Sequence, residues 1–417
     1  MTVSEINFSF GKNWKNFVKK NFSEARLAKA KKRLLQVLKL DNLEGYTFLD
    51  IGCGSGLHSL AALQCGAFRV VSFDYDREAV EITKYLRSRE GNPRHWEVLQ
   101  GSVLDEAFMR SLPQADIIYS YGVLHHTGDT WEALTNARIP LSPNGVFYIA
   151  LYSHTSYENS HLAFGHPTPE QWLEIKRRYN RAGILSKRVM EWQYVSKTYL
   201  WKNPEHFWWE WKNFPSKAIQ RIRGFGKVVS TYQENRGMEF WTDVRDWLGG
   251  WPMDFLRESE VIQFAESRLG LELLEMLTGE GNTEFVFQPV GAKNYWQDLL
   301  GQYTIEELPP SFSSREGYCW VVPLPHLSDL ADLPEMPRRS SLRMFEDGRP
   351  LMFAHAPLVS IQKVGEGRYS HWEDKLYFST SDNSDPNTNG RRYTIRYLLS
   401  VPKFDYPKNR KMIGNHR

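Results

Sequence analysis

Seven residues, Asp50-Ile51-Gly52-Cys53-Gly54-Ser55-Gly56, constrain the fold of this chain more than any other stretch. They end the apolar run Thr47–Ile51 and lead into Leu57–Leu63, which reads as a helix. A short apolar run stopped by glycines is the pattern of a strand buried on both faces. Glycines after such a strand let the chain turn tightly and allow a ligand to press against bare backbone. The spacing here is G-x-G-x-G, with Leu57 in the slot where the dinucleotide fingerprint has its third glycine, so a hydride-transferring enzyme is disfavoured.

Strand and helix then alternate. Arg69–Phe73, Trp96–Gln100, Asp116–Ser120 and Val146–Tyr152 are expected strands, separated by helices such as Arg77–Ser88 and Asp129–Arg138 and preceded by an amphipathic helix over Arg26–Leu40. Such a series builds a parallel sheet covered by helices. The alternation stops after Tyr152 and resumes with a helix near Glu258–Arg268 and strands at Leu271–Leu277 and Glu284–Gln288. The fold class is therefore α/β: a Rossmann-like, mostly parallel seven-stranded sheet with a helical cap insertion and a small β-rich C-terminal domain. The expected divisions are an N-terminal helical segment (1–44), the α/β core (45–152), a Trp-rich cap insertion (153–257), the end of the core (258–293), a Pro-rich connector (294–340) and a β-rich tail (341–417). Within the tail, Val359–Val364, Lys375–Ser379 and Tyr393–Leu399 are expected to be β structure.

Composition excludes several classes. No apolar run approaches the ~20 residues of a membrane span, and the N-terminus lacks the basic start and apolar stretch of a secretion signal, so a cytoplasmic location is expected. Three scattered cysteines, Cys53, Cys65 and Cys319, are too few for a disulfide framework or a four-ligand zinc site. In the tail, Asp382, Asn383, Asp385, Asn387 and Asn389 cluster, but Pro386 and the lack of a closing Glu reject an EF-hand loop; hydrogen-bonded turns are expected and no metal. A formal charge of +3 is weak for a partner of nucleic acid, despite basic clusters near both ends.

FLDIGCGSG resembles the first motif of the class I S-adenosylmethionine-dependent methyltransferases, and later elements follow that family's order over about residues 45 to 290. The resemblance implies S-adenosylmethionine as cofactor, held by Asp50, Gly52, Gly54 and Gly56 in the loop. In FDYD, Asp74 and its neighbour Tyr75 stand where the family's acidic residue accepts hydrogen bonds from the ribose hydroxyls, with Asp76 one slip away. In LQGSVLD, Ser102 and Val103 occupy positions resembling those that flank the adenine ring. Tyr121, in ADIIYSYGVLHHTGD, falls in the fourth motif, which in the family faces the methionine part of the cofactor.

Methyl transfer to a hydroxyl is helped by a base. His126 and His125 follow the fourth strand and His154 follows the fifth, at the edge where open α/β sheets bind ligands; imidazole titrates near working pH. In the insertion, Asp243 and Asp246 are alternative bases, Arg236 an anchor for an acidic acceptor, and Trp241 and Trp247 aromatic walls for substrate. The chain most resembles small-molecule O-methyltransferases of the ubiquinone type and of bacterial surface-glycan clusters. That implies a small-molecule or glycan-related hydroxyl acceptor. An RNA or tRNA methyltransferase and a non-catalytic, cofactor-binding scaffold subunit are the competing readings. The oligomeric state is not written in these features.

Overall fold

The computed structural model describes residues 23–200, 225–226, 229, 240–278, 281–294, 303–334, 339–351 and 353–398. Helix α1 (Glu24–Leu38), capped by Ser23, precedes β1 (Thr47–Ile51). The chain then runs through α2 (Leu57–Gln64), β2 (Arg69–Asp74), α3 (Arg77–Arg89), β3 (Trp96–Gln100), α4 (Glu106–Ser111), β4 (Ala115–Tyr121), α5 (Thr130–Ala137) and β5 (Leu141–Tyr152). Asp76, Asp105 and Asp129 each start the helix that follows by accepting a backbone N–H. Phe48, Leu49 and Ile51 are buried because β1 lies between β2 and β4, paired in parallel with both.

The sheet order is β3-β2-β1-β4-β5-β7-β6. The order reverses between β1 and β4, so the loops leaving these two strands diverge and open a crevice at the carboxyl edge of the sheet. The expected seven-stranded Rossmann-like fold is the observed one. Among the described residues, no helix is long and apolar enough to cross a membrane.

The chain divides into two compact units. The first comprises 1–152, 169–255 and 286–289. Beyond the core strands it holds α7 (Pro169–Arg181) and α8 (Ile184–Val195), and then α9 (Phe240–Gly249). Glu191 ties these three helices together: its buried carboxylate accepts from Tyr179 Oη at 2.8 Å, from Arg188 at 2.8 Å and from Arg245 at 3.4 Å.

The second unit comprises 153–168, 256–285 and 290–417. It contains α6 (His154–Phe164), α10 (Glu258–Leu269), β6 (Leu271–Thr278) and the first half of β7 (Asn282–Pro289). The expected cap insertion 153–257 is thus divided, its first residues grouping with the second unit. Glu258, fully buried, explains why: its carboxylate accepts from Ser153 Oγ, from Thr155 Oγ1 at 2.6 Å and from Thr283 Oγ1 at 2.7 Å.

Two four-stranded sheets complete this unit. One has the order β13-β14-β10-β9, from β9 (Ser313–Ser314), β10 (Trp320–Pro323), β13 (Tyr369–Trp372) and β14 (Lys375–Phe378). The other has the order β12-β11-β15-β8, from β8 (Thr304–Glu307), β11 (Arg343–Glu346), β12 (Arg349–Pro350) and β15 (Tyr393–Tyr397).

The stretch 294–340 is therefore not a mere connector: it supplies β8, β9 and β10, with Pro323 at a strand end where its missing N–H is tolerated. Phe312, Leu376, Phe378, Tyr393 and Ile395 share one apolar core. Val359–Val364, expected as β, lies instead in a helix and its C-cap, α11 (Leu358–Lys363), entered at Pro357 and left before Gly365 at φ 71°; tertiary packing overrides the β preference of its branched residues. In the Asn/Asp cluster, Asp382 accepts the Ser384 hydroxyl at 2.6 Å and Asp385 the Asn387 N–H at 2.9 Å, which makes these residues turns.

Candidate cofactor and acceptor site

The glycine loop is shaped by one carbonyl. Phe73 O, on β2, accepts the N–H groups of both Gly52 and Cys53, at 2.9 and 3.0 Å, turning the chain sharply off β1. Gly52, Gly54 and Gly56 have φ of 73°, 52° and 75°, where side chains are rarely tolerated. A Cβ on Gly52 would collide with Val123, and one on Gly56 would lie 2.8 Å from Thr83 Oγ1. Two of the three glycines are thus required by close neighbours as well as by backbone conformation.

Two carboxylates flank this loop with different surroundings. Asp50 is 2% exposed and accepts a 2.5 Å hydrogen bond from Ser59 Oγ. Ser72 Oγ donates to Ser59 Oγ at 2.7 Å and Trp96 Nε1 to Ser72 Oγ at 2.9 Å, so a buried chain of donors runs from β3 through β2 and α2 to Asp50. Burial pushes the Asp50 carboxyl up to about 7, against the Ser59 hydrogen bond and with help from the charge of Asp74.

Asp74 ends β2, with Oδ2 accepting Gly54 N–H and Oδ1 accepting Asp76 N–H, both at 2.9 Å. Each oxygen keeps a second lone pair. Burial raises its pKa and the two backbone donors oppose the rise. Asp76 is occupied otherwise: its carboxylate caps α3 through Glu78 N–H at 2.8 Å, which separates the two acids of FDYD.

Other predicted cofactor residues sit around the same edge. Tyr75 is 69% exposed next to Asp74. Ser102 Oγ accepts Leu104 N–H at 3.2 Å in the turn after β3, and Val103 beside it is buried. Tyr121, at the end of β4, stacks on His58 with ring centroids 6.1 Å apart. His58 has no signal in the glycine pattern, yet it opens α2 against Tyr119 and Tyr121, and burial pushes it down to about 4.

Beyond β4, the imidazoles of His125 and His126 lie 4.5 Å apart, and that of His125 is 4.3 Å from the Tyr152 ring at the end of β5. His126 Nδ1 donates to Pro252 O at 2.7 Å, so Nε2 is the unprotonated nitrogen of the neutral ring. Burial pushes His126 down to about 4, and the nearby Lys176 charge adds to the fall. His125 is fully buried; Tyr152 N–H points at its Nδ1 from 3.4 Å, which places the ring proton on Nε2. That Nε2 has no hydrogen-bond partner among the described residues.

Residues of α7 and α9 pack near these rings. On α7, Trp172, Lys176 and Tyr179 recur at spacings of four and three and are buried. Lys176 Nζ lies 3.9 Å from the centroid of Trp247, donates to the Trp247 carbonyl, and is pushed down to about 7 by burial. Trp247 in turn meets Tyr152 edge-on at 5.9 Å and Trp172 at 5.0 Å.

Residues 49–147 match the family model described as "Methyltransferase domain". Together with the sheet order and the glycine loop, this decides the class. Residues 49–147 form a methyltransferase domain. Among curated relatives, the chain is 44% identical over 57 residues to a ribosomal protein L11 methyltransferase of Tolumonas auensis, 14% of this chain and 20% of that protein. It is 29% identical over 120 residues to a ubiquinone biosynthesis O-methyltransferase of Haemophilus ducreyi, 28% of this chain and 50% of that protein. The chain thus spans from a fifth to half of the length of these two relatives. Among solved structures, a magnesium protoporphyrin IX methyltransferase from Synechocystis with bound SAH aligns at TM-score 0.37 and 9% identity, over 67% of this chain and 93% of that one.

Of the acceptor-side residues named from sequence, the methyltransferase domain and its cap bring together His125, His126 and Trp247, with Asp246 close enough for its charge to act on Lys176. Trp241 packs instead against Trp192, ring centroids 4.9 Å apart, among the cap helices. Asp243 is partly buried in the first turn of α9. His154 belongs to the second unit, where its N–H donates to Leu256 O and its Nε2 lies 3.3 Å from Arg257. Arg236 lies outside the described residues.

Sequence reasoning missed Lys176 because it stands in EIKRRYNR, a run that reads as a solvated face; only the inward spacing from Trp172 to Tyr179 singles it out.

Proposed function

We propose that the chain transfers the methyl group of S-adenosylmethionine to a hydroxyl oxygen of a small molecule. The observation that carries this reading is Asp74, a carboxylate at a strand end, tied to Gly54 N–H of the glycine loop and still able to accept from two hydroxyls. A ribose diol against Asp74, an adenine beside Ser102 and Val103, and an aminoacyl end over Gly52, Gly54 and Tyr121 fit the donors and acceptors present. When bound, the cofactor supplies an electrophilic methyl carbon on a sulfonium.

What the chain's own residues contribute is alignment of the acceptor and exclusion of water. The rings of His126, Tyr152, Trp172 and Trp247 cluster past the carboxyl ends of β4 and β5, and aromatic faces of this kind suit a small organic acceptor. His126 Nε2, unprotonated in this tautomer, can accept a hydrogen bond from the acceptor's hydroxyl.

Titration calorimetry with S-adenosylmethionine and its demethylated product tests the cofactor half: absence of binding would sink the reading. A methyl-transfer screen over quinol precursors, nucleotide-sugars, tRNA and ribosomal protein L11 tests the acceptor half. Turnover on tRNA or L11 alone would replace the small-molecule reading, the protein arm being included because relatives of that name match part of this chain.

A further inference from the structure

Lys176 and His125 are two buried donors with too few acceptors. An ammonium has three N–H groups. Among the described residues, Lys176 Nζ has one hydrogen-bond acceptor, the Trp247 carbonyl, and one ring face, that of Trp247. The side chain is 1% exposed. The His125 ring proton on Nε2 is likewise buried and has no partner among the described residues. A buried donor left unmade costs ~1–3 kcal/mol, more when it is charged, so such a pair persists where a ligand completes it.

A purely structural account exists for part of this. Lys176 and Asn180, one turn apart on α7, both reach carbonyls at the C-terminus of α9, the second through Asn180 Nδ2 to Gly249 O at 3.0 Å. That cap occupies one ammonium proton and none of His125.

We infer that Lys176 and the Nε2–H of His125 together hold an oxyanion of the methyl acceptor, so that the acceptor is a phenol- or enol-type hydroxyl bound in its ionised form. The inference rests on the methyl-transfer reading above. The O–H bond of the hydroxyl breaks, its proton forms an N–H bond on the neutral Lys176 amine, and the resulting ammonium and oxyanion remain paired with no net change of charge. Burial, which brings Lys176 down to about 7, makes the neutral amine available near neutrality. The charged and titratable groups facing Lys176 are Asp246 on α9 and His125 and His126 beyond β4; Asp246 favours the ammonium, while the histidines stay neutral because burial holds both below their ordinary range. An alcohol of a sugar does not ionise under these conditions and gains nothing from such a pair.

4-Nitrophenol is the probe, since its phenolate absorbs visible light and its phenol does not. With the full chain in excess and the demethylated cofactor present, bound probe at about pH 6 shows the phenolate spectrum, and Lys176→Gln, whose amide can still donate to the Trp247 carbonyl, weakens phenolate binding about tenfold or more. A bound probe with the phenol spectrum, no binding by the wild-type chain, or equal phenolate affinity in Lys176→Gln overturns the inference. Should Lys176→Gln not fold, Lys176→Arg decides: the retained cation keeps the phenolate, and its loss overturns the proposal. Cofactor calorimetry on the same sample separates the two readings, because cofactor bound without phenolate sinks only this one.

Discussion

The carboxylate of Asp74 accepts the backbone N–H of Gly54 at 2.9 Å, joining the end of β2 to the middle of the glycine loop. The same group serves the loop and, in the proposed complex, the ribose. Asp74→Ala should therefore weaken S-adenosylmethionine by about 10²–10³-fold, the loss of charge-assisted hydrogen bonds plus the cost of unpaired partners. Calorimetry on the folded variant checks this, and an unchanged affinity would remove Asp74 from the site. Asp76→Ala should cost only a helix cap, about 1 kcal/mol of stability, with affinity kept.

Glycines at similar φ should respond differently. Gly52→Ala meets Val123 at φ 73°, whereas Gly122→Ala, at φ 74°, has nothing within 4 Å among the described residues. The second pays only for backbone conformation, about 1–2 kcal/mol. The first adds a clash and should abolish cofactor binding as well as lower the unfolding midpoint. Equal midpoints in the two variants would contradict this account.

Buried neutral histidines set a pH dependence. His58 and His126 are held at about 4 against an ordinary 6.5, so between these values the unfolded chain binds more protons. Stability is then full above about 6.5 and is lost as pH falls toward 4. Denaturant unfolding at pH steps across this window should show the loss, and His58→Phe should make it shallower.

Asp50 works in the opposite direction. Its folded value of about 7 against 3.8 means that the folded chain holds the extra proton between these values, so its contribution is present at low pH and is lost as pH rises through 7. Asp50→Asn, which keeps an acceptor for Ser59 Oγ, should stabilise the cofactor-free chain above pH 7 by on the order of 1–4 kcal/mol, with the gain vanishing toward pH 4. No gain at high pH would show that the carboxylate is better solvated than its 2% exposure indicates.

In the second unit, Arg343 donates to Glu275 Oε1 through Nε at 2.9 Å and Nη2 at 2.6 Å, linking β11 to β6. The side chains are 14% and 5% exposed. Arg343→Met should destabilise this unit by about 3–5 kcal/mol by leaving the Glu275 charge buried and unpaired, while Arg343→Met with Glu275→Leu should recover most of the loss. Chemical denaturation of the single and double variants checks both; no recovery would mean that packing, not charge, is at stake.

The sequence by itself determined what depends on neighbours along the chain. Strands 47–51, 69–74 and 96–100, the loop whose glycines must have positive φ, and the order of elements that names the methyltransferase domain follow from local apolar periodicity and from the one residue type able to make those turns. Tertiary structure decided what depends on distant partners. Nothing local separates Asp74 from Asp76, because the difference is a hydrogen bond to Gly54, twenty residues back, against a cap on the next helix. Nothing local shows that Thr304–Glu307 pairs with Tyr393–Tyr397, across about ninety residues rich in proline. Lys176 reads as one more solvated charge until α7 packs on α9, when desolvation, a long-range property of everything around the amine, changes its chemistry.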